Sequence, residues 1–238
     1  MLYLPSMPTD SNTRSILAQY WYRVAFMEHA SIGAFTRLIL ELLSLGAIPV
    51  ILRTAASSVI DEIHHAEISF SLLSHYSGES IGPWEYPWIV WSWFRKVTKL
   101  NLAKEGFIDG LVGEGIAANI ALWQSINTTD LALKNMFRII YEDEIKHSIF
   151  WWEIVNWCFE TSDSDEHKRL KKAFSKIFSE LEIKYKNNEK IDVSDNELIV
   201  EGLSDYGMIN KESYLRIRQD VYVESLLKLE ELSIKYSF

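Results

Sequence analysis

The chain has 238 residues, 24 Lys and Arg against 33 Asp and Glu, and a formal net charge of −9. Hydrophobic residues at 48% and charged residues at 24% are ordinary globular composition, enough for a sizeable core and too apolar for wholesale disorder. The acidic balance without a Lys/Arg cluster disfavours a nucleic-acid partner, and the single Cys158 excludes an internal disulfide and a thiolate zinc site and fits a reducing cytosol. The start, Met1–Asp10, has neither a basic segment nor a long apolar one, so no signal peptide is expected and the expected location is cytoplasmic. No run approaches the roughly 18 apolar residues of a membrane span, so no membrane partner is expected.

Apolar residues recur at helical spacing over long stretches, and Gly and Pro, the usual breakers, number only 10 and 5. The first helix is expected from about Ser11 or Thr13 to Leu45, with Asp10, Ser11 and Asn12 as candidate caps and Gly46 as its stop. Pro49 suits the first turn of a second helix, which runs to about Tyr76 and ends before Gly78. Gly78–Trp93, with Gly82-Pro83, Pro87, Trp84, Trp88, Trp91 and Trp93, reads as an ordered, partly helical crossover. A third helix is expected over Arg95–Ile126. A polar break at 127–130 then offers Thr129 or Asp130 as the cap of a fourth helix ending near Phe159. Thr161–Glu166 reads as a surface loop, Lys168–Lys186 as an amphipathic helix, Asn187–Asn196 as a linker and Glu212–Tyr236 as a last helix. The fold class is therefore all-α: two antiparallel hairpins joined by a long crossover over 1–160, and a helical C-terminal extension over 161–238, expected to serve as a lid or a dimer surface.

Two of these helices carry the same motif. Asp61-Glu62-Ile63-His64-His65 and Asp143-Glu144-Ile145-Lys146-His147 both read Asp-Glu-x-x-His, and residues three apart share a helix face, so each Glu and His can address one ion. A lone Glu-x-x-His is weak evidence; two copies with the same flanks are stronger. Glu62 and His65 lie 15 and 18 residues beyond the first turn, and Glu28 lies 19 before it. Glu144 and His147 lie 16 and 19 beyond the second break, and Glu114 lies 14 before it. At about 1.5 Å per residue all six fall at one level along antiparallel hairpins. Glu28 and Glu114 sit in apolar or glycine-rich surroundings where an unpaired carboxylate is costly, and four clustered carboxylates call for cations.

One Glu from each of two helices, plus Glu-x-x-His from each of two others, resembles the ligand set of the ferritin-like di-iron carboxylate superfamily. The stretches Met27-Glu28-His29-Ala30-Ser31 and Asp61 to Ala66 are similar to small bacterial ferritin-like domain proteins. The resemblance covers roughly residues 11–159 and implies a four-helix bundle. By position it implies Glu62 and Glu144 as bridging ligands, Glu28 and Glu114 as terminal ligands, and one imidazole, His65 or His147, on each metal. Asp61 and Asp143 match the acids that orient ligand histidines. An oxygen-rich set with one imidazole per metal suits two iron ions, with manganese as the alternative.

The resulting expectation is an O2-dependent, non-haem di-iron oxidase or oxygenase. It would act on a small organic substrate in specialised metabolism, an amino-acid-derived aromatic one being favoured, by hydroxylation, N-oxygenation, desaturation or oxidative rearrangement. An external electron donor and a homodimer would be its partners. The rivals are a ferroxidase or iron-handling protein and, further off because of the −9 charge, a tRNA-modifying di-iron hydroxylase. His29 and His64 point about 100° away from the proposed ligands. Glu67 is expected exposed or beside the ligands, His75 and His167 solvated, and Tyr141 packed in the core more readily than placed at the metals. Gly106, Gly110, Gly113 and Gly115 have two readings: close helix packing, or missing side chains that leave room for a substrate or permit a π-bulge beside the metals. Phe35 and Trp151, with the crossover tryptophans, are candidates for lining or covering a pocket.

Overall fold

The computed structural model describes residues 3–85, 96–187, 196 and 198–238. Among them the chain is helical, with a single isolated parallel bridge, Ile199 to Ile209, and no strand. No described helix is long and apolar enough to cross a membrane. Helix α1 covers Ser11–Ser44 and α2 covers Pro49–Ser77. Asp10 caps α1 by accepting from the Thr13 amide at 2.7 Å; Gly46 and Gly78 follow the two helices in left-handed backbone, φ +78° and +75°, as helix ends require. Trp88, Trp91 and Trp93 lie outside the described residues. Of the expected crossover, 78–85 is described and holds no helix. Trp84 stacks on Tyr22 and Phe26 of α1.

The third helix is not one regular α-helix. It starts at Lys99 behind the Thr98 cap, runs as α3 over Lys99–Glu105, passes through a π-helical segment at Gly106–Glu114, and resumes as α4 over Gly115–Asn127. Helix α5 covers Leu131–Glu160, and Asp130, not Thr129, caps it by accepting from the amides of Ala132 and Leu133. Helix α6 begins at Ser164, earlier than expected, and covers Ser164–Lys186. Asp163 caps it, and Asp165 and Glu166 stand in its first turn, where acids favour the helix dipole. Half of the expected acidic loop, 164–166, is thus helix N-terminus, with Asp163 as its cap. Helix α7 covers Lys211–Tyr236 behind the Asn210 cap.

Side-chain pairs fix how the helices run. Arg37 pairs with Glu105 and Tyr20 with Gln124, so α1 is antiparallel to the third helix. His65 faces Asp143 and His147 faces Asp61, so α2 is antiparallel to α5. Helix α1 packs along α2, and the π segment and α4 pack along α5. The C-terminal helices lie against the outer side of the third helix, α6 on α3 and α7 on α4 and the π segment. They share its core: Phe107, Trp151 and Phe159 are buried together with Leu170, Phe174 and Leu229. Residues 198–209 close the other end. Gly207 offers its carbonyl to Gln124 at 2.8 Å and stands against Phe137 with φ +79°; any Cβ there would overlap the Phe137 ring.

Candidate metal centre

Glu28 on α1, Glu62 and His65 on α2, Glu114 at the end of the π segment, and Glu144 and His147 on α5 converge in the interior between the four helices. One ligand atom from each of Glu28, Glu62, His65 and Glu144 lies within 4.8 Å of the others, and Glu114, Glu144 and His147 form a second such group. Glu144 belongs to both. Glu62 belongs to the first group and also places Oε1 3.1 Å from His147 Nδ1. Glu62, His65, Glu144 and His147 are 3% exposed or less. Glu28 and Glu114 are partly buried.

The two imidazoles are set alike. His65 Nε2 stands 3.4 Å from Asp143 Oδ2, and His147 Nε2 stands 3.3 Å from Asp61 Oδ2. With Nε2–H aimed at an aspartate, Nδ1 of each ring faces inward. His65 Nδ1 lies 3.2 Å from Glu144 Oε1 and 3.8 Å from Glu28 Oε2. Despite this closeness both Nδ1 atoms, both Glu62 oxygens and Glu144 Oε2 are buried without a hydrogen-bond partner. Buried polar atoms left so are costly, and cations placed between these five would satisfy them. Four carboxylate side chains and two imidazoles, with no thiolate, are a donor set for Fe or Mn before Zn or Cu. The residues therefore fit the pair of ions expected from the sequence.

Without cations, protons carry the compensation. Burial, then the charges of Glu62 and Glu144, push the Glu28 carboxyl well above the usual carboxylate range, and burial with Glu144 does the same for Glu114. Burial also raises Glu62, against the pull of His147. Glu144 goes the other way: burial opposes it, but contact with His147, His65 and Glu114 holds it well below the ordinary range. Burial works against a charged imidazole, yet contact with Glu144 and the neighbouring carboxylates lifts His65 to about 9 and His147 to about 10.

A cation must displace these protons, which sets the sign of a pH effect. Below about pH 9 both imidazoles are protonated and compete with metal, so affinity should climb as pH rises from 7 towards 9–10 and level off above. Each displaced proton contributes about a tenfold gain per pH unit. Calorimetric Co(II) titrations in buffers of different ionisation enthalpy check this; affinity that stays flat between pH 7 and 9 contradicts it.

The other singled-out residues divide. His29 meets the Phe70 ring edge-on and His64 is half-buried; neither belongs to the ligand groups. Glu67 is exposed. Tyr141 is half-buried against a core that includes Trp21, Phe137 and Ile140. His75 and His167 are not simply solvated. His75 Nε2 is buried beside Tyr76, and His167 packs edge-on against Phe159 and Tyr236. Phe35 lies against His147, with ring centroids 4.9 Å apart, and touches Trp151 at 5.9 Å. A Cβ on Gly110 would overlap Cβ and the indole of Trp151, and one on Gly106 would come within 2.9 Å of it. These two glycines therefore admit Trp151 against the helix backbone, and the space is filled. Close packing and the π segment, offered as rival readings, occur together. The sequence reading missed the charged cluster of Arg37, Glu41 and Glu105 that ties α1 to α3; the Arg37-x-x-x-Glu41 spacing was its only local signal.

Comparison of the chain with family profiles, with curated proteins and with solved structures finds no match to any of them.

Proposed function

We propose that this chain is a ferritin-like di-iron carboxylate protein whose centre serves O2-dependent oxidation of a small organic substrate. The observation that carries the reading is the paired ligand set: two groups of carboxylates and imidazole sharing Glu144, each imidazole turned by an aspartate, in a site of orphaned buried donors. Glu62 and Glu144 lie between the two positions and would bridge them; Glu28 and His65 would complete one, Glu114 and His147 the other. Iron held there supplies the activation of O2. The protein's own share is to keep Nδ1 of both rings inward, to hold the carboxylates ionised once the protons have left, and to exclude water with Phe35, Trp151 and the surrounding core.

The test is anaerobic Fe(II) loading followed by exposure to O2. Two ions per chain, O2 uptake and a transient visible absorption are expected from a species that elutes as a monomer or small oligomer. A chain that binds no iron, or binds it without consuming O2, refutes the proposal. Elution as a large closed assembly with iron retained would replace it with iron storage.

A further inference from the structure

The two Asp-Glu-x-x-His motifs differ at the position before the histidine, where one has His64 and the other Lys146. The difference reaches the centre through Asp143. Lys146 Nζ donates to Asp143 Oδ1 at 2.8 Å, while Oδ2 of the same carboxylate stands 3.4 Å from His65 Nε2. One carboxylate therefore serves an ammonium and an imidazole at once. Asp61, the partner of His147, has no Lys or Arg within ion-pair distance among the described residues, and it acts on Lys146 only from farther away. The Lys146 side chain is 67% exposed, but the Asp143 side chain that it touches is only 15% exposed, so screening by water is incomplete on the side facing His65.

An aspartate that accepts a ligand histidine's N–H makes the ring a stronger donor. A cation bonded to the same aspartate draws that charge away. We infer that Lys146 is a positioning residue that makes the two halves of the centre unequal, weakening the hold of His65 on its metal ion while leaving that of His147 unaltered. The inference rests on the proposal that the cluster holds two metal ions. It gives Lys146, which touches neither ion, a defined place: it acts on α2's histidine from α5, across the helix interface.

Anaerobic Co(II) titration, followed by visible absorption, separates the halves. Glu114→Ala retains the Glu28–His65 half and Glu28→Ala retains the Glu114–His147 half. Adding Lys146→Met to the first should tighten Co(II) binding about threefold to tenfold, somewhat below what deleting an outer partner outright changes. Adding it to the second should change affinity less than about twofold, because a charge effect confined to Asp143 does not reach His147. Lys146→Arg, which keeps the cation, should restore the starting affinity in the first background. Equal shifts in both halves would mean a long-range charge effect and overturn the inference, as would no shift in either while Co(II) still binds. A wild-type chain that takes up no Co(II) overturns the metal centre itself and the inference with it. The two failures are told apart by whether cobalt is bound.

Discussion

Replacing Glu144 by alanine should empty both metal positions at once, where Glu28→Ala or Glu114→Ala empties one. Glu144 is the residue that the two ligand groups have in common, and it approaches both His65 and His147. Its removal deletes an anionic donor from each position, leaving His65 with Glu28 and Glu62, and His147 with Glu62 and Glu114. Deleting an outer partner of a ligand costs about 10–100-fold in affinity, so losing a shared ligand should exceed about a hundredfold at both sites. Metal analysis after anaerobic Fe(II) loading should give near two ions per chain in the wild type and near none in the variant. His167→Ala, which alters a packed ring far along the chain, should keep both. A Glu144→Ala protein that retains two ions would break the ligand assignment.

The second large effect is steric and lies one turn before a proposed ligand. Gly110→Ala places a methyl where Trp151 already stands, at a crossing of the π segment with α5. Overpacking of this kind costs about 1–3 kcal/mol or more, against which the gain in helix propensity is about 0.5–1 kcal/mol. A net loss of about 2 kcal/mol should lower the melting temperature of a chain this long by roughly 4–8 °C. Glu114, four residues on, should lose metal in the same variant because the segment that carries it has to shift. Gly33→Ala is the control with the opposite sign. It also sits within a helix, but nothing lies within 4 Å of its added methyl, so it should stabilise by about 0.5–1 kcal/mol. Thermal unfolding of the two variants decides; equal melting temperatures would mean that Trp151 does not occupy the space above Gly110.

The helices were largely legible because their ends are chemically marked. Asp10, Pro49, Gly78 and Asp130 each stand at an observed boundary, for reasons that hold within a few residues of chain. The Ser164 start was marked as well, by the Asp163 cap, but an acidic run reads equally as a solvated loop. Counting residues from the turns placed Glu28, Glu62, His65, Glu114, Glu144 and His147 at one level, and they do converge there. Counting fixes height along a helix, not rotation about it or the identity of the neighbour. That each aspartate would face the histidine of the other motif, or that Phe35 would lie on His147, depends on rotations set by the whole core. His75 and His167 failed for a related reason. A position near a helix end says nothing about Tyr236, which arrives from 69 residues further along the chain to cover His167. The glycines of the third helix signalled an irregular backbone, but Trp151, the side chain they accommodate, comes from another helix.

The crossed aspartate–histidine pairs have a consequence for the centre as a unit. Helices α1 and α2 alone hold Glu28, Glu62 and His65, yet the group that orients His65 belongs to α5; α5 holds Glu144 and His147, yet depends on α2 for Asp61. Neither half-site is self-sufficient. A slip of α2 along α5 by a single helical turn, about 5.4 Å, breaks both pairs together, so one helix register orients both imidazoles. Ions that bound only the assembled site would act as a clasp on that register.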